Sequence, residues 1–174
     1  YFGRIDVEKG VITLIQAMQK LPHLKLIVIG NGSSMAEAIS WAQKHGVRNV
    51  EFVGPKWGAD MVSILARARM VVVPSIWFEP SPMVIYQSLA TGKPVVGAQI
   101  GGIPDLITPD TGLLFNPGDV DDLAAKIGSI AFDDARLHSM GRAARAWAEV
   151  SFDPETWYNS LMQIYSQVLE EKQR

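Results

Sequence analysis

The stretch Met70–Gly97, "MVVVPSIWFEPSPMVIYQSLATGKPVVG", decides the fold. It opens on "MVVVP", a continuous β-branched run closed by Pro74, and ends on "PVVG", a second such run closed by Gly97. Runs that are apolar at every position, rather than at every other one, mark strands buried on both faces. Between them, Pro82–Thr91 has helical spacing. Ser81 can cap that helix, and Pro82 suits its first position. A strand, a helix and a strand in this succession make a crossover between parallel neighbours.

The same alternation extends in both directions. "LKLIVIG" (Leu24–Gly30), "VEFVG" (Val50–Gly54) and "TGLLF" (Thr111–Phe115) read as strands, and Tyr1–Gly3 as the last part of another. Helical spacing predicts helices over about Val11–Leu21, Ser34–His45, Asp60–Ala68 and Asp119–Ala131, with Asp119 as an N-cap. The expectation is an α/β fold: a doubly wound parallel sheet with helices on both faces. Further on, Leu137, Met140, Ala144 and Trp147 share one helical face. A last helix from about Pro154 places Trp157, Leu161, Ile164, Tyr165 and Val168 on another. That stripe fits docking on this domain's own core or on a partner domain. The organisation expected is a domain over residues 1–152, followed by an amphipathic helix over 153–174.

Composition narrows the chemistry. The 174 residues can bury roughly two thirds of their unfolded surface in one domain. With 16 Lys and Arg against 18 Asp and Glu, no charge excess points to nucleic acid. There is no cysteine, which excludes disulfides, a thiol nucleophile and Cys-ligated zinc, and fits a reducing compartment. No two of His23, His45 and His138 have metal-ligand spacing, and no nucleophile–base pair is evident. No apolar run approaches the ~18 residues of a membrane span. The chain opens at Tyr1 without an initiator Met, which leads us to expect a fragment whose remainder lies upstream.

In open parallel sheets ligands bind beyond the carboxyl ends of the strands, so the loops there carry the candidates. After the first strand, "GRIDVEKG" offers Gly3 for close backbone approach, with Arg4 and Lys9 as two cations for a diphosphate; a solvated pair of surface charges is the alternative. "GNGSS" (Gly30–Ser34) holds Gly32 but lacks the third glycine of a dinucleotide fingerprint, and reads better as a tight turn with Ser33 or Ser34 capping the next helix. Gly92–Lys93 lacks the upstream glycine of a P-loop. "GGIPDLI" permits either a close approach to ligand at Gly101–Gly102 or a sharp turn.

The loop after "MVVVP" is the most informative. Beyond Ser81 and Pro82, the amides of Met83 and Val84 are free by helix geometry, and such an end attracts phosphate. Glu79 precedes the cap and can face a ligand without neutralising those amides. Gln87, four residues after Met83, is placed on the face of the helix entrance. The two side chains suit sugar or ribose hydroxyls; alternatively Glu79 adds charge near the helix start and Gln87 is exposed.

Taken in order, "GRIDVEKG", "LIVIGNG", "VEFVGP", "VVVPSIWFEPSPMVIYQSLATGKPVVG", "GGIPDLI", "TGLLFNPGD" and "FDPETW" resemble the C-terminal, donor-binding half of the retaining glycosyltransferases of group 1, or family 4. The resemblance implies a Rossmann-like domain, the C-terminal half of a GT-B fold. It implies that Arg4 and Lys9 hold the diphosphate of a nucleoside diphosphate sugar, that Glu79 contacts the donor sugar, and that the Met83 and Val84 amides hold sugar or phosphate. The family's second glutamate, separated from the first by seven residues, is here Gln87, which gives up a charge-assisted hydrogen bond of about 1–2 kcal/mol. Base recognition would come from "GPKWG", with Lys56 and with Trp57 either stacked near the base or anchored in the core. No metal or cofactor is implied beyond the nucleotide-sugar substrate. An acceptor-binding N-terminal domain, absent from this chain, is the implied partner, with a cytoplasmic location or peripheral membrane contact through that half. A non-catalytic nucleotide-sugar binding module is the alternative, and a sugar-nucleotide epimerase a more distant one.

Overall fold

The computed structural model of the 174-residue chain describes residues 1–171. Five short parallel strands alternate with helices: α1 (Val11–Gln19), β1 (Leu26–Ile29), α2 (Met35–Lys44), β2 (Val50–Gly54), α3 (Gly58–Arg67), β3 (Val71–Val73), α4 (Met83–Ala90), β4 (Val95–Ala98), α5 (Ile103–Leu106), β5 (Gly112–Phe115), α6 (Val120–Ala131), α7 (Asp134–Ser151) and α8 (Pro154–Glu171). A 3-10 turn at Val7–Lys9 precedes α1. The α/β architecture is the one expected, and the element ends fall close to the expected ones.

The sheet itself comes in two pieces. β1 pairs with β2, and β3–β4–β5 form a separate three-stranded group, all in parallel. Tyr1–Gly3 contributes a single parallel bridge, Phe2 to Ile29, rather than a strand. Val71, Val72, Val73, Val95 and Val96 are all buried, so the three-stranded group is covered on both faces, as its unbroken apolar runs require. α1 packs on α6, and α4 on α7. The amide nitrogen of Asn49, at the entry to β2, lies 2.8–3.0 Å from the carbonyls of Met18, Leu21 and Leu24 and ties the end of α1 to the start of β1. Asp119 caps α6 as expected, accepting from the amides of Asp121 and Asp122 at 3.0 Å.

Three local expectations are corrected. The N-cap of α4 is Pro82, not Ser81, whose hydroxyl instead bonds the Tyr86 hydroxyl at 2.6 Å. Neither Ser33 nor Ser34 caps α2 through its side chain. Ser33 turns to Asp6, which accepts from its amide and its hydroxyl, each at 2.8 Å. In α7 the expected face holds for Leu137, Met140 and Ala144, which are buried, while Trp147 reaches the surface.

α8 differs most from the rest. No residue of this 18-residue helix is buried, and Trp157, Tyr158, Met162, Ile164, Tyr165, Val168 and Leu169 expose between 41% and 65% of their surface. Of the two dockings its sequence allows, the one on this domain's own core is not made among the described residues. No helix of the described chain is long and apolar enough to cross a membrane.

Candidate functional site

Two loops meet at the carboxyl ends of the strands. The first follows Gly3 and carries the 3-10 turn. The second runs from Pro74 to Pro82 and delivers the chain into α4. Gly10 lets them touch: its φ is 67°, and a Cβ there would lie 1.9 Å from the Pro74 carbonyl oxygen, so no larger residue fits. The Ile76 amide donates to the Glu8 carbonyl at 2.9 Å across the same contact.

That contact places Lys9 against Glu79. The two form an ion pair across 70 residues of sequence, and both side chains are largely buried. Ser75, buried just after β3, donates to the same Glu79 carboxylate oxygen at 2.9 Å. The backbone of Glu79 is held from the other side by the double glycine. The Gly102 amide donates to the Glu79 carbonyl at 2.7 Å, and a Cβ on Gly102 would lie 2.2 Å from the Pro80 carbonyl oxygen. Gly101 and Gly102 therefore clasp the loop that bears Glu79, so the close approach is to the chain itself.

The result is a cavity of about 330 Å³ at the start of α4. It gathers most of the residues singled out from the sequence: Gly3, Arg4, Lys9, Glu79 and the run Ser81–Val84. Among the described residues no side chain caps α4, so its first amides remain available to a ligand. Ser75 and Tyr1 also line the cavity and were not anticipated. Ser75 had a signal, a lone hydroxyl directly after a strand-ending proline. Tyr1 donates its hydroxyl to the Arg4 carbonyl, and burial, with the Asp6 and Glu79 carboxylates adding to it, pushes its phenol well above the usual range.

The two cations differ. Lys9 is enclosed, whereas the Arg4 side chain is 67% exposed and is held by Asp6 at 2.8 Å and Glu8 at 3.0 Å. Asp6 is itself held below the usual carboxylate range, first by its hydrogen bonds from Ser33 and then by Arg4. Arg4 and Lys9 thus reach one cavity but are not paired on a common anion.

The remaining candidates lie elsewhere. Gln87 is exposed and lines a shallow groove with Tyr86, Arg145 and Phe152, not the cavity of Glu79, so its expected place at the helix entrance is corrected. Four residues along α4 keep a side chain on nearly the same face but carry it about 6 Å further along the axis, beyond the entrance. Trp57 is 75% exposed at the N-cap of α3, which rules out a core anchor; it and Lys56 stand outside the cavity. Gly32 packs on the Ile5 backbone, where a Cβ would come within 2.4 Å of the carbonyl oxygen.

A parallel α/β domain with a cation–carboxylate pair at an uncapped helix start is suited to holding an anionic, hydroxyl-bearing ligand. Comparison with known proteins names the class. The sequence model of the glycosyl transferases group 1 matches residues 1–147, and the chain belongs to that family. It is 35% identical over 171 residues to the glycogen synthase of Mycobacterium tuberculosis, covering 95% of this chain and 41% of that protein. In structure it is similar to Anabaena Alr3699/HepE in complex with UDP, with a TM-score of 0.87, 28% identity and 95% and 47% of the two chains covered. The sucrose-phosphate synthase of Thermosynechococcus elongatus gives a TM-score of 0.84 at 30% identity, over 98% and 45% of the two chains. The chain therefore spans less than half the length of these relatives.

Proposed function

We propose that this chain is the donor-binding half of a retaining glycosyltransferase of family 4, transferring a sugar from a nucleoside diphosphate sugar to an acceptor. The observation that carries the reading is the Lys9–Glu79 pair at the uncapped start of α4, with Ser75 fixing the carboxylate. The likeness to Alr3699/HepE, solved with UDP and with UDP-glucose, supports it.

Each group has a distinct task in this reading. The bond from the anomeric carbon to the diphosphate breaks, and negative charge gathers on the leaving phosphate. Lys9, Arg4 and the amides of Met83 and Val84 stabilise that charge in a partly enclosed site, where aimed donors act more strongly than in water. Glu79 accepts hydrogen bonds from hydroxyls of the donor sugar. Lys9 stands between Glu79 and the phosphates, so it offsets the repulsion their like charges would otherwise produce. Gly3, Ser81 and Pro82 shape the wall. Trp57 and Lys56 receive the base, Gln87 the ribose and Gly32 the turn beside them, once the ligand extends beyond the cavity. No bound metal or cofactor is required.

The acceptor is bound by an N-terminal domain, against which α8 lays its apolar face, and peripheral membrane contact belongs to that half. This chain alone binds donor nucleotide weakly and catalyses no efficient transfer. Calorimetric titration with UDP, GDP, ADP and their sugar conjugates tests the reading: one base should bind, and heat from none would remove it. Retention is tested on the longer protein by the anomeric configuration of its product.

A further inference from the structure

A cavity of about 410 Å³ lies at the edge of the sheet opposite the donor loops, where the chain enters β3 and β4. Ala68 and Arg69 before β3, and Gly92, Lys93 and Pro94 before β4, form one side; α7 forms the other. Gly141 lets the two sides meet, since a Cβ there would lie 2.7 Å from the Gly92 carbonyl oxygen. This cavity shares no residue with that of Lys9 and Glu79.

Its lining is basic in a chain that is not. Arg69, Lys93, Arg142 and Arg145 face a single carboxylate, Asp134, whereas the whole chain has 16 Lys and Arg against 18 Asp and Glu. Part of the cluster follows from the fold. Helices between parallel strands run back to the amino edge, so their carboxyl ends gather there and attract cations. The Lys93 Nζ donates to the Ala66 carbonyl at 2.8 Å, at the end of α3. Arg69 Nε donates to that of Ala131 at 2.7 Å, at the end of α6, and Arg145 to that of Ala90, at the end of α4.

That capping role leaves charge over. Arg69 pairs with Asp134, and Arg145 pairs with Glu149, which stands outside the cavity. Among the described residues neither Lys93 nor Arg142 has a carboxylate within ion-pair distance. Burial, with no such partner to offset it, holds the Lys93 ammonium below its usual range. Arg69 and Arg145 are each anchored through two nitrogens, which leaves their other N–H groups positioned in advance.

We propose that this cavity binds a small dianionic phosphate, inorganic or at the end of a monoester. Arg142 offers the planar fork that suits phosphate oxygens, and Lys93 a point charge. The remaining N–H groups of Arg69 and Arg145 complete the donor set. A dianion matches the two cations that no carboxylate pairs. The recess between α7 and the strand lead-ins suits a small molecule better than the flat surface of a membrane.

The test follows backbone amide resonances of the 174-residue chain during titration with inorganic phosphate and with glycerol 3-phosphate, at low and constant ionic strength. Both should give saturable shifts at Gly92, Lys93 and Gly141. Arg142→Ala should weaken that binding by about tenfold, as losing a charge-assisted contact does. Arg136→Ala makes the same change of charge on α7 outside the cavity, and should leave the affinity within about twofold. Lys9→Ala should leave these shifts unchanged, which separates them from phosphate held in the donor cavity. Equal weakening by the two arginine variants would reduce the effect to overall charge and overturn the proposal. So would the lack of saturable shifts at the two glycines. Vesicles of phosphatidylcholine and phosphatidic acid are titrated in parallel. Arg142-dependent binding to them, with no binding of either soluble phosphate, would assign this face to a membrane surface and overturn it as well.

Discussion

Lys9 and Glu79, 70 residues apart in sequence, form an ion pair in which Ser75 holds the same carboxylate oxygen at 2.9 Å. The pair joins the 3-10 turn to the loop entering α4, so one interaction serves both the fold and the proposed site. Removing either partner should therefore have two separable effects.

Lys9→Ala leaves a largely buried carboxylate with only a hydroxyl partner. We expect a loss of about 1–3 kcal/mol in urea unfolding, the range for a buried group left partly unsatisfied, because Ser75 still donates to the carboxylate. Adding Glu79→Gln removes the stranded charge and should recover most of that stability. Nucleotide binding should not recover with it. Recovery of both together would mean that the pair matters only as a structural tie.

The glycine clasp makes a second prediction. Gly102→Ala forces a Cβ toward the Pro80 carbonyl and must displace the Glu79 loop, at a cost of about 1–3 kcal/mol by analogy with overpacked cores. Thermal unfolding and nucleotide titration should both weaken. Gly128→Ala, in α6 with only Leu21 at 3.5 Å from the new methyl, is the control; it should be neutral or stabilising by up to about 1 kcal/mol.

Asp6 gives a pH dependence. Its folded pKa lies below the ordinary value, so its contribution is present above the unfolded pKa, near 4, and is lost as pH falls through that range to the folded value. Asp6→Asn should flatten the acid limb of the stability curve. Asp134 and Asp153 are depressed as well, so the flattening is partial. Unfolding midpoints between pH 6 and about 3 check this.

Trp57 separates surface from site. Being 75% exposed, it can be replaced by Ala with a stability change within about 0.5 kcal/mol. If it stacks on the base, the same substitution weakens nucleotide binding by about 1–3 kcal/mol. Calorimetry on the single variant reads both.

How far the sequence reached follows from the range of each interaction. Runs such as Val71–Val73 and the spacing of α6 are local signals, and those elements appear close to where they are expected. Gly3, Arg4, Lys9, Glu79 and Ser81–Val84 line one cavity, because a parallel fold sends consecutive strand ends to one edge. The Lys9–Glu79 pair was not legible, since nothing local distinguishes a lysine facing a phosphate from one facing a carboxylate 70 residues away. Nor was the role of Gly101–Gly102, which depends on a backbone arriving from another loop. The split sheet escaped for a related reason: periodicity marks strands but not their neighbours. α8 carries an apolar stripe whose partner the stripe itself does not name.

The central claim is that the donor diphosphate lies against Lys9 at the start of α4. Its most direct test is calorimetric titration of the parent chain, Lys9→Ala and Lys20→Ala with whichever of UDP, GDP and ADP the parent binds. Lys20 lies outside both this cavity and the groove of Gln87, half exposed and paired with Asp121. The account predicts that Lys9→Ala weakens binding by about tenfold or more, as losing a charge-assisted contact should, while Lys20→Ala leaves it unchanged. Equal affinity in the parent and Lys9→Ala would contradict it.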